Sequence, residues 1–459
     1  MLIKYRDSKK IYNFSDAENK SENNIFTVIV GKNGTGKSRL MKSVIIEFIG
    51  EEKNKKGKIT VGGLSKHKPK KSIIAGALDN IDVTHAPQNI IAVSTSPFDK
   101  FPLESNGSTF NEYTYLGLRN LKSTDLSMAY MANIYTSLIK SVAKDKGRAT
   151  KIFKVLEYLG YSPKISAKFY LELPTSRVKE VLNSHNLVAS FNDHFTSHSE
   201  LYRHRLRRLH DDEELRNLQV ERILEIYKKI GGSIPGRKFE VLLEGDQIHF
   251  SADGANEEDY FFLADLELVR LQGVTLEKND GKSLKIREAS SGEQSVVMSI
   301  LGITSQISND SLICIDEPEV CLHPEWQERY IELLMSTFKD FKGCHFLIAT
   351  HSPLIVSKLG DKGCFLMKMD DGKAIPASMV NNKSADYQLA NTFGAPGYKN
   401  EYLTRELVSA LTVFGKTGKV DDGTKSKLKF LLSLKNTLSE SDPVKKLMEI
   451  AEEALEESI

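Results

Sequence analysis

A glycine-rich octapeptide near the N-terminus restricts the local structure to a strand, a tight loop and a helix. Residues 25–30 are β-branched and aromatic, which favours a buried strand. Residues 39–49 place apolar side chains at helical spacing. The octapeptide between them matches G-x-x-x-x-G-K-[ST] at every position, and its residues are Gly31, Lys32, Asn33, Gly34, Thr35, Gly36, Lys37 and Ser38. A strand, a glycine loop and a helix in this order predict a phosphate-binding loop (P-loop).

The residue types of this loop suit a nucleotide with a bound cation. Glycines let successive backbone N–H groups point at one centre, and the helix beginning near Gly36 adds the positive end of its dipole. Lys37 can neutralise the β- and γ-phosphates, and the Ser38 hydroxyl can ligate Mg²⁺. We therefore expect ATP and Mg²⁺ as ligands.

Bulk composition is that of an ordinary globular chain of two to three domain-sized segments. The 459 residues are 40% hydrophobic and 27% charged, with a formal net charge of +2, so any nucleic-acid surface must be local. No apolar run reaches transmembrane length, and the N-terminus lacks a signal-peptide core. These features predict a cytoplasmic protein without a membrane partner, and they predict reduced, buried cysteines at Cys314, Cys321, Cys344 and Cys364.

The pattern along the chain changes from strands to helices and back, which predicts four segments. Residues 1–123 hold the P-loop. Residues 124–237 carry helical periodicity and are expected to form a helical insertion. Strand signals return in 238–400, at residues 238–245, 247–252, 260–266 and 268–278, and predict an antiparallel sheet. Residues 401–459 are expected to form terminal helices that bury against a partner.

Two basic segments leave alternatives open. Residues 66–71 (KHKPKK) suit either a solvated loop between short strands at 58–62 and 72–76 or a contact with phosphate backbones. Residues 202–210 contain four arginines and are followed at once by four acidic residues. A self-paired helix and a nucleic-acid or protein contact are both consistent with the second pattern.

A short polar segment precedes an apolar helix in the second half of the chain. Its residues suit a helix N-terminus, with a serine as N-cap and a glutamate three residues later, as in a capping box. Small residues at a helix N-terminus can also approach a phosphate closely. The segment comprises Ser290, Ser291, Gly292 and Glu293.

Two buried strands further along are predicted to end in titratable side chains. Residues 312–315 lead into Asp316, which would hold Mg²⁺, and Glu317, which would activate water as a general base. Residues 344–350 lead into His351, which is placed to sense a γ-phosphate. The intervening His323 is either a ligand or, in the more ordinary interpretation, a helix cap.

These motifs in this order resemble the head of ABC-type ATPases, and more closely their RecF, Rad50 and OLD-like branch. The chain reads ASSGEQ, DEPEVCLHP and ATHSP where the branch reads LSSGEQ, DEPExxLHP and THSP. The resemblance covers about residues 1–123 and 238–370. It implies an α/β head with a mixed core sheet and an antiparallel β-subdomain, here with the helical insertion and C-terminal helices. Ala289 replaces leucine, and Ser94–Lys100 occupies the Q-loop region without a glutamine.

The resemblance also implies how the site residues act. Such heads dimerise head-to-tail around two ATP molecules, so the P-loop of one copy faces Ser290–Glu293 of the other. Lys37 and His351 contact the phosphates in such heads. Asp316 is the Mg²⁺ aspartate, and Glu317 is the catalytic base.

Two absences narrow the choice within this branch. The chain has no long heptad run, and the pairs Asp370–Asp371 and Asp421–Asp422 occur in loop-like contexts instead of a nuclease motif. The chain is most similar to stand-alone ATPases of bacterial anti-phage systems. The Septu-type (PtuA-like) ATPase, which works with a separate HNH nuclease, is the first choice, and the ATPase of the PARIS system is the nearest competitor.

The expected function is therefore that of a slow, regulatory ATPase of a defence complex. It would form a dimer, or a larger assembly of dimers, and control a nuclease effector in trans. The alternatives are a RecF-like repair protein whose ATP-gated activity is DNA binding, and a transport ATPase.

Overall fold

The structure, a computed structural model, describes most of the chain and divides it into two units. The described residues are 1–7, 10–16, 23–49, 52–53, 59–60, 80–103, 113–119, 126–197, 206, 208–230, 234–417 and 421–457. The first unit comprises Met1–Tyr115 and Ser308–Ile459, and the second comprises Leu116–Ile307. The basic segment 66–71, the strand expected at 72–76 and most of the arginine-rich segment 202–210 lie outside the described residues.

The strands of both units are numbered in chain order. They are β1 (Leu2–Asp7), β2 (Lys10–Asn13), β3 (Ile25–Val30), β4 (Glu52–Lys53), β5 (Ile59–Thr60), β6 (Ile81–Val83), β7 (Asn89–Ser94), β8 (Tyr113–Gly117), β9 (Tyr161–Leu171), β10 (Lys238–Glu244), β11 (Gln247–Phe250), β12 (Val269–Lys278), β13 (Ser283–Lys285), β14 (Ser311–Asp316), β15 (His345–Ala349), β16 (Cys364–Lys368) and β17 (Ala374–Pro376).

The α-helices are numbered in the same way. They are α1 (Lys37–Ile49), α2 (Leu126–Lys144), α3 (Gly147–Tyr158), α4 (Thr175–Leu182), α5 (Leu187–Phe191), α6 (Glu213–Ile230), α7 (Glu257–Asp265), α8 (Ser291–Gln306), α9 (Pro324–Thr337), α10 (Pro353–Ser357), α11 (Ala385–Tyr387), α12 (Glu401–Thr417), α13 (Asp422–Ser433) and α14 (Pro443–Glu457).

The first unit is built on a mixed sheet of seven strands in the order β17-β16-β3-β15-β14-β7-β8. Strands β16, β3, β15, β14 and β7 run parallel, and β17 pairs antiparallel to β16. The parallel strands are continuous apolar runs because both faces of such a sheet are covered, and every residue of β3 and β14 is buried. Their carboxyl ends share one edge, where α/β proteins place their ligand sites.

Helix α1 packs one apolar face on this sheet. Leu40, Met41, Val44 and Ile45 are buried in the same core as Ile29 of β3 and residues of β14 and β15. The hydrophobic spacing seen in the sequence is therefore the buried face of the helix, and packing fixes the N-terminus of α1 above the end of β3.

The C-terminal helices form a core of their own within the first unit. The buried residues of this cluster include Leu403, Leu407, Leu431, Leu434 and Met448. Most of the apolar face that we expected to bury against a partner is thus buried within the helical segment itself. The exposed apolar side chains of these helices include Ile450, at 51% exposure, and Val408, Val413 and Phe430.

The second unit combines an antiparallel sheet, in the order β11-β10-β9-β12-β13, with helices that include α2, α3 and α8. Two sequence predictions are wrong here. The segment 124–237, expected to be helical, contains β9, which lies at the centre of the sheet between β10 and β12. The strand expected at 260–266 is instead helix α7, whose N-cap Asn256 accepts a hydrogen bond from the backbone N–H of Asp259.

The structure confirms the α/β fold class, with a mixed core sheet and a separate antiparallel sheet. The turn at 279–281 joins β12 to β13 as expected, with Gly281 at φ +80°. Among the described residues, no helix combines the length and apolar character needed to span a bilayer.

Candidate functional site

The P-loop has the predicted structure. Strand β3 ends at Val30, α1 begins at Lys37, and Gly34 and Gly36 adopt φ values of +80° and +98°, which side chains with a Cβ rarely adopt. A Cβ on Gly31 would lie 2.8 Å from the Thr35 hydroxyl oxygen. The loop therefore needs glycine at these three positions for conformation or for space.

Lys37 points back into the loop. It is buried, and its ammonium group donates to the Gly31 carbonyl at 3.0 Å and contacts Nε2 of His351 at 2.6 Å. An ammonium group can only donate, so Nε2 of His351 accepts and the ring proton lies on Nδ1. Burial lowers the pKa of both groups, and the charge of Lys37 also lowers the pKa of His351.

Asp316 and Ser38 form a second contact at the same edge. The Ser38 hydroxyl donates to Oδ1 of Asp316 at 3.0 Å, although the two residues are 278 positions apart in the chain. Asp316 is 2% exposed, and burial raises its pKa to about 7, with Glu317 and Asp99 adding to the rise. This carboxylate is therefore desolvated and close to other negative charge, an environment that a cation would relieve.

Glu317 occupies a strained backbone position. Its φ is +49°, which is unusual for any residue other than glycine and less favourable still before a proline, here Pro318. Its backbone N–H donates to Ala349 O at 2.9 Å, so the tip of β14 is fixed to the tip of β15. Its carboxylate lies 3.8 Å from Nε2 of His351. Strain of this kind persists where the surroundings hold it and is common at functional sites.

Glu319 is a site residue that the sequence analysis quoted within a motif but gave no role. Its carboxylate accepts one hydrogen bond from the Thr350 hydroxyl at 2.8 Å and another from the backbone N–H of His351 at 2.5 Å. Burial raises the pKa of Glu319. The motif Asp-Glu-Pro-Glu was the available signal, but only the fold shows which groups the second glutamate contacts.

The end of β7 brings Asp99 to the same edge. Ser94 pairs in register with Asp316, and buried Asp99 accepts hydrogen bonds from the Phe101 N–H at 3.0 Å and the Tyr115 hydroxyl at 2.7 Å. Gln88 does not occupy the position of a Q-loop glutamine, because it precedes β7 and therefore lies at the amino end of that strand. The Q-loop region, residues 94–100, contains serine and aspartate side chains and no glutamine.

The segment Ser290–Glu293 lies in the second unit. Ser290 caps α8 by accepting from the Glu293 N–H at 3.2 Å, as predicted. The reciprocal half of a capping box is not made by the Glu293 carboxylate, because it accepts from the Tyr161 hydroxyl at 2.6 Å and lies 3.9 Å from the Lys278 ammonium. Gly292 is buried, and Ser290 and Ser291 are exposed.

Several other candidate residues have structural roles. His323 caps α9, which confirms the capping alternative. Asp370 and Asp371 lie in the turn between β16 and β17, as expected of a loop. Asp421 instead caps α13, and Asp422 is the first residue of that helix.

The cysteine prediction holds for three of the four residues. All four cysteines are free, and Cys314, Cys344 and Cys364 are buried, but Cys321 is exposed in the loop after β14, where its φ is +70°.

The first unit thus brings together five predicted site residues, namely Lys37, Ser38, Asp316, Glu317 and His351. In the described ranges, no group of three or more His, Cys, Asp or Glu side chains is arranged to hold a metal ion. A Mg²⁺ ion held by one carboxylate, one hydroxyl and substrate phosphates needs no such group, and the desolvated Asp316–Ser38 pair fits that chemistry.

Comparison with known protein families finds a match to part of the chain. Residues 161–357 match the family model described as "AAA domain, putative AbiEii toxin, Type IV TA system". This match covers less than half of the chain. It includes Ser290–Glu293, Asp316, Glu317 and His351, and it begins after the P-loop.

Two curated bacterial proteins are similar to the chain in sequence. The retron Vc95 probable ATPase of Vibrio cholerae is 22% identical over 77% of this chain and 70% of its own length. The retron Ec83 probable ATPase of Escherichia coli is 26% identical over 29% of this chain, and the matched part spans only 27% of the Ec83 protein.

A solved SMC head domain from Pyrococcus furiosus, determined with the C-terminal domain of ScpA, covers 80% of this chain and 92% of its own length. It is 13% identical with a TM-score of 0.28, a value that supports no conclusion about activity or assembly. The family match and the two relatives together show that the chain is similar to AAA-domain proteins and to probable ATPases of retrons.

Proposed function

We propose that the chain binds and hydrolyses ATP, and that this activity regulates a partner in a bacterial defence complex. The observation that carries the first part is the cluster at the carboxyl edge of the seven-stranded sheet. There the P-loop lysine contacts His351 at 2.6 Å, and Glu317 lies 3.8 Å from the same ring nitrogen. An ammonium group, a carboxylate and an imidazole side chain around one point supply the groups that phosphoryl transfer to water requires.

Each side chain has a role that follows from its contacts. Lys37 exchanges its present acceptors, Gly31 O and His351 Nε2, for phosphate oxygens. Glu317 accepts a proton from the attacking water, and His351, which lies beside Glu317, contacts the terminal phosphate. Asp316 and Ser38 would hold Mg²⁺, which when bound offsets the phosphate charge.

The composite dimer is also part of the proposal. Ser290 and Ser291 are exposed at the N-terminus of α8, where backbone N–H groups and the helix dipole favour a phosphate. We propose that this segment of one copy completes the P-loop site of a second copy, in a dimer or a larger assembly of dimers. Turnover would be slow because the site forms only when two copies meet.

The regulatory role rests on the relatives and on the resemblance of the motifs. Two similar proteins are described as "probable ATPase" of a retron, and the motifs resemble the stand-alone ATPases of anti-phage systems. We propose a separate nuclease, with the HNH type favoured, as the effector controlled by ATP occupancy.

The first test is phosphate release by the purified protein with Mg²⁺ and ATP. We expect Glu317→Gln to bind ATP but to hydrolyse it about 10²–10⁴-fold more slowly, which is the usual contribution of a general base. We expect Lys37→Ala to lose binding. The control is Glu328→Gln, which makes the same chemical change on an exposed glutamate that pairs only loosely with Lys358, at 3.9 Å. Parental turnover in Glu317→Gln would refute the catalytic assignment.

Mixing two inactive variants tests the composite dimer. Lys37→Ala damages the P-loop, and Ser291→Arg damages the exposed segment at α8. If the sites form between copies, a mixture contains dimers with one intact site, so activity returns. No return of activity in the mixture would contradict the cross-subunit site.

Co-purification from a host that carries the neighbouring genes tests the regulatory role. A stable complex with a nuclease would support it. A protein that purifies alone and retains DNA would instead support the RecF-like alternative.

A further inference from the structure

We propose that Glu319 is the positioning residue that fixes His351 relative to Glu317; this inference rests on the proposed ATPase function. The hydrogen bonds of the Glu319 side chain go to the loop after β15 and not to the P-loop, and its charge acts on Lys37 only through space. Its two carboxylate oxygens contact the two residues that follow β15, namely the Thr350 hydroxyl and the backbone N–H of His351. One side chain therefore joins the loop after β14 to the loop after β15.

The bond to the His351 N–H has a direct geometric consequence. A backbone N–H fixes the peptide plane from which the imidazole side chain projects. Glu319 thus sets the direction in which the His351 ring leaves the chain, toward Lys37 at 2.6 Å and Glu317 at 3.8 Å. Moving this peptide would move the imidazole away from both partners at once.

Further hydrogen bonds hold the same loop on its other side. The Ser352 N–H donates to the Thr350 hydroxyl oxygen at 2.9 Å, and the Ser352 hydroxyl donates to the Gln327 side chain at 2.7 Å. Gln327 in turn donates to Leu322 O at 2.9 Å, which belongs to the loop that carries Glu319. Both Glu319 and Gln327 of α9 therefore connect the loop after β14 to the loop after β15.

The chemistry of the link requires a carboxylate. Thr350 Oγ1 accepts from the Ser352 N–H, so its own proton is free to go to Glu319, and the His351 N–H also needs an acceptor. Only an ionised carboxylate offers two accepting oxygens on one side chain. A glutamine of the same shape keeps one acceptor and presents an NH₂ group to the other donor.

This arrangement predicts a specific kinetic signature. Phosphate binding depends chiefly on the P-loop, to which the Glu319 side chain makes no described hydrogen bond, so ATP affinity should change much less than the rate. The chemical step depends on the geometry of His351 and Glu317, and a displacement of about 1 Å in such groups costs on the order of 100-fold in rate. We therefore expect Glu319→Gln to lower kcat about 10- to 100-fold, with a much smaller change in the dissociation constant for ATP.

The experiment compares Glu319→Gln, Thr350→Val and Thr350→Ser with the control Glu328→Gln. Steady-state phosphate release gives kcat and KM, and a fluorescent ATP analogue gives the dissociation constant. Thr350→Val should lower kcat as Glu319→Gln does, whereas Thr350→Ser, which keeps the hydroxyl group, should have the parental kcat. The kcat of the Glu319→Gln/Thr350→Val double variant should be no lower than that of the more damaged single variant. Thermal unfolding followed by Trp326 fluorescence checks that each variant is folded.

The outcomes separate this inference from the proposed function. If the parent protein hydrolyses ATP and Glu317→Gln abolishes turnover, but Glu319→Gln retains the parental kcat, the positioning role alone is overturned. A loss of ATP affinity that matches the loss of kcat would also overturn it, because that pattern indicates general damage to the site. A parent protein without ATPase activity would overturn both proposals.

Discussion

His345 gives the sharpest stability prediction, because its protonation state follows from its hydrogen bonds. It is 1% exposed at the start of β15, and its Nε2 lies 2.9 Å from the Thr27 hydroxyl oxygen. Thr27 donates its own proton to Phe14 O at 2.7 Å, so it can only accept from His345. The ring is therefore neutral with its proton on Nε2, and its buried Nδ1 has no partner within the described structure.

The missing partner on Nδ1 makes protonation costly in the folded state. Burial, together with the charges of the nearby N-terminal amine and His85, lowers the pKa of His345 from 6.5 to about 3. Between these two values the unfolded chain binds a proton that the folded chain does not. Because the folded pKa is depressed for a base, this stability is present above pH 6.5 and is lost as the pH falls toward 3.

The magnitude follows from the same two pKa values. Each pKa unit corresponds to about 1.4 kcal/mol, so lowering the pH from about 7.5 to about 5 should remove about 2 kcal/mol of unfolding free energy through His345 alone. The test variant is His345→Gln, whose amide NH₂ can donate to Thr27 as Nε2 does but cannot titrate.

Urea unfolding followed by Trp326 fluorescence is the assay, because the single tryptophan lies on α9 in the same unit as His345. The parent protein should lose about 2 kcal/mol more than His345→Gln between the two pH values. Gly415→Ala, a change in the same unit that adds a methyl group in open space and alters no titratable group, should retain the parental pH dependence. Equal pH dependence in the parent and in His345→Gln would refute the assignment of a buried neutral ring.

Three further predictions concern packing, the α8 segment and the cation. Gly302→Ala should destabilise the protein by about 1–3 kcal/mol, because the new Cβ would lie 2.5 Å from a side-chain carbon of α2. Gly415→Ala, whose new Cβ would enter open space, should not destabilise the protein. Hydrogen exchange and urea unfolding measure the stability of both variants. Tyr161→Phe should lower kcat, measured by phosphate release, about tenfold because it removes the hydroxyl group that donates to Glu293. Tyr158→Phe, the same change at an exposed tyrosine, should leave kcat unchanged. Chelation of divalent cations should abolish turnover, and added Mg²⁺ should restore it, because the desolvated Asp316–Ser38 pair suits a cation.

The elements around the P-loop could be predicted because their signals are local. Strand β3, the P-loop and the start of α1 depend on residues that are adjacent in the chain, and strands β7, β14 and β15 are short apolar runs that only a covered parallel sheet accommodates. The location of the predicted site residues at one edge of the sheet could be predicted from these strands, because parallel strands place their carboxyl ends at the same edge.

The errors in the second unit have identifiable causes. In β9 the buried residues alternate from Ile165 through Ala167 and Phe169 to Leu171, so a period-two signal was present, but the helical periodicity on either side and Pro163 obscured it. In α7 the aromatic run favoured a strand, whereas Asn256 as N-cap and three acidic residues in the first turn indicated a helix. Capping signals were more informative here than side-chain propensity.

Contacts between distant residues could not be predicted from the sequence. Glu319 is 32 positions from His351, and Tyr161 is 132 positions from Glu293. A motif records which residue type stands at a position, but it does not record which donors the fold brings to that side chain. The roles of Glu319 and Tyr161 are therefore statements about three-dimensional structure alone.

The charge balance of the site explains why nucleotide and cation binding should depend on each other. Asp316 lies near the carboxylates of Glu317 and Asp99, and burial together with these charges raises its pKa, while Lys37 is the cation that counteracts the rise. Negative groups thus outnumber positive ones before any phosphate arrives, and ATP without Mg²⁺ would add further negative charge to a poorly solvated site. We therefore expect the affinity for ATP to fall when Mg²⁺ is removed. Asp316→Asn, which removes one of these charges, should lessen that dependence while lowering turnover, and an Asp316→Asn variant with the parental dependence on Mg²⁺ would contradict this electrostatic account.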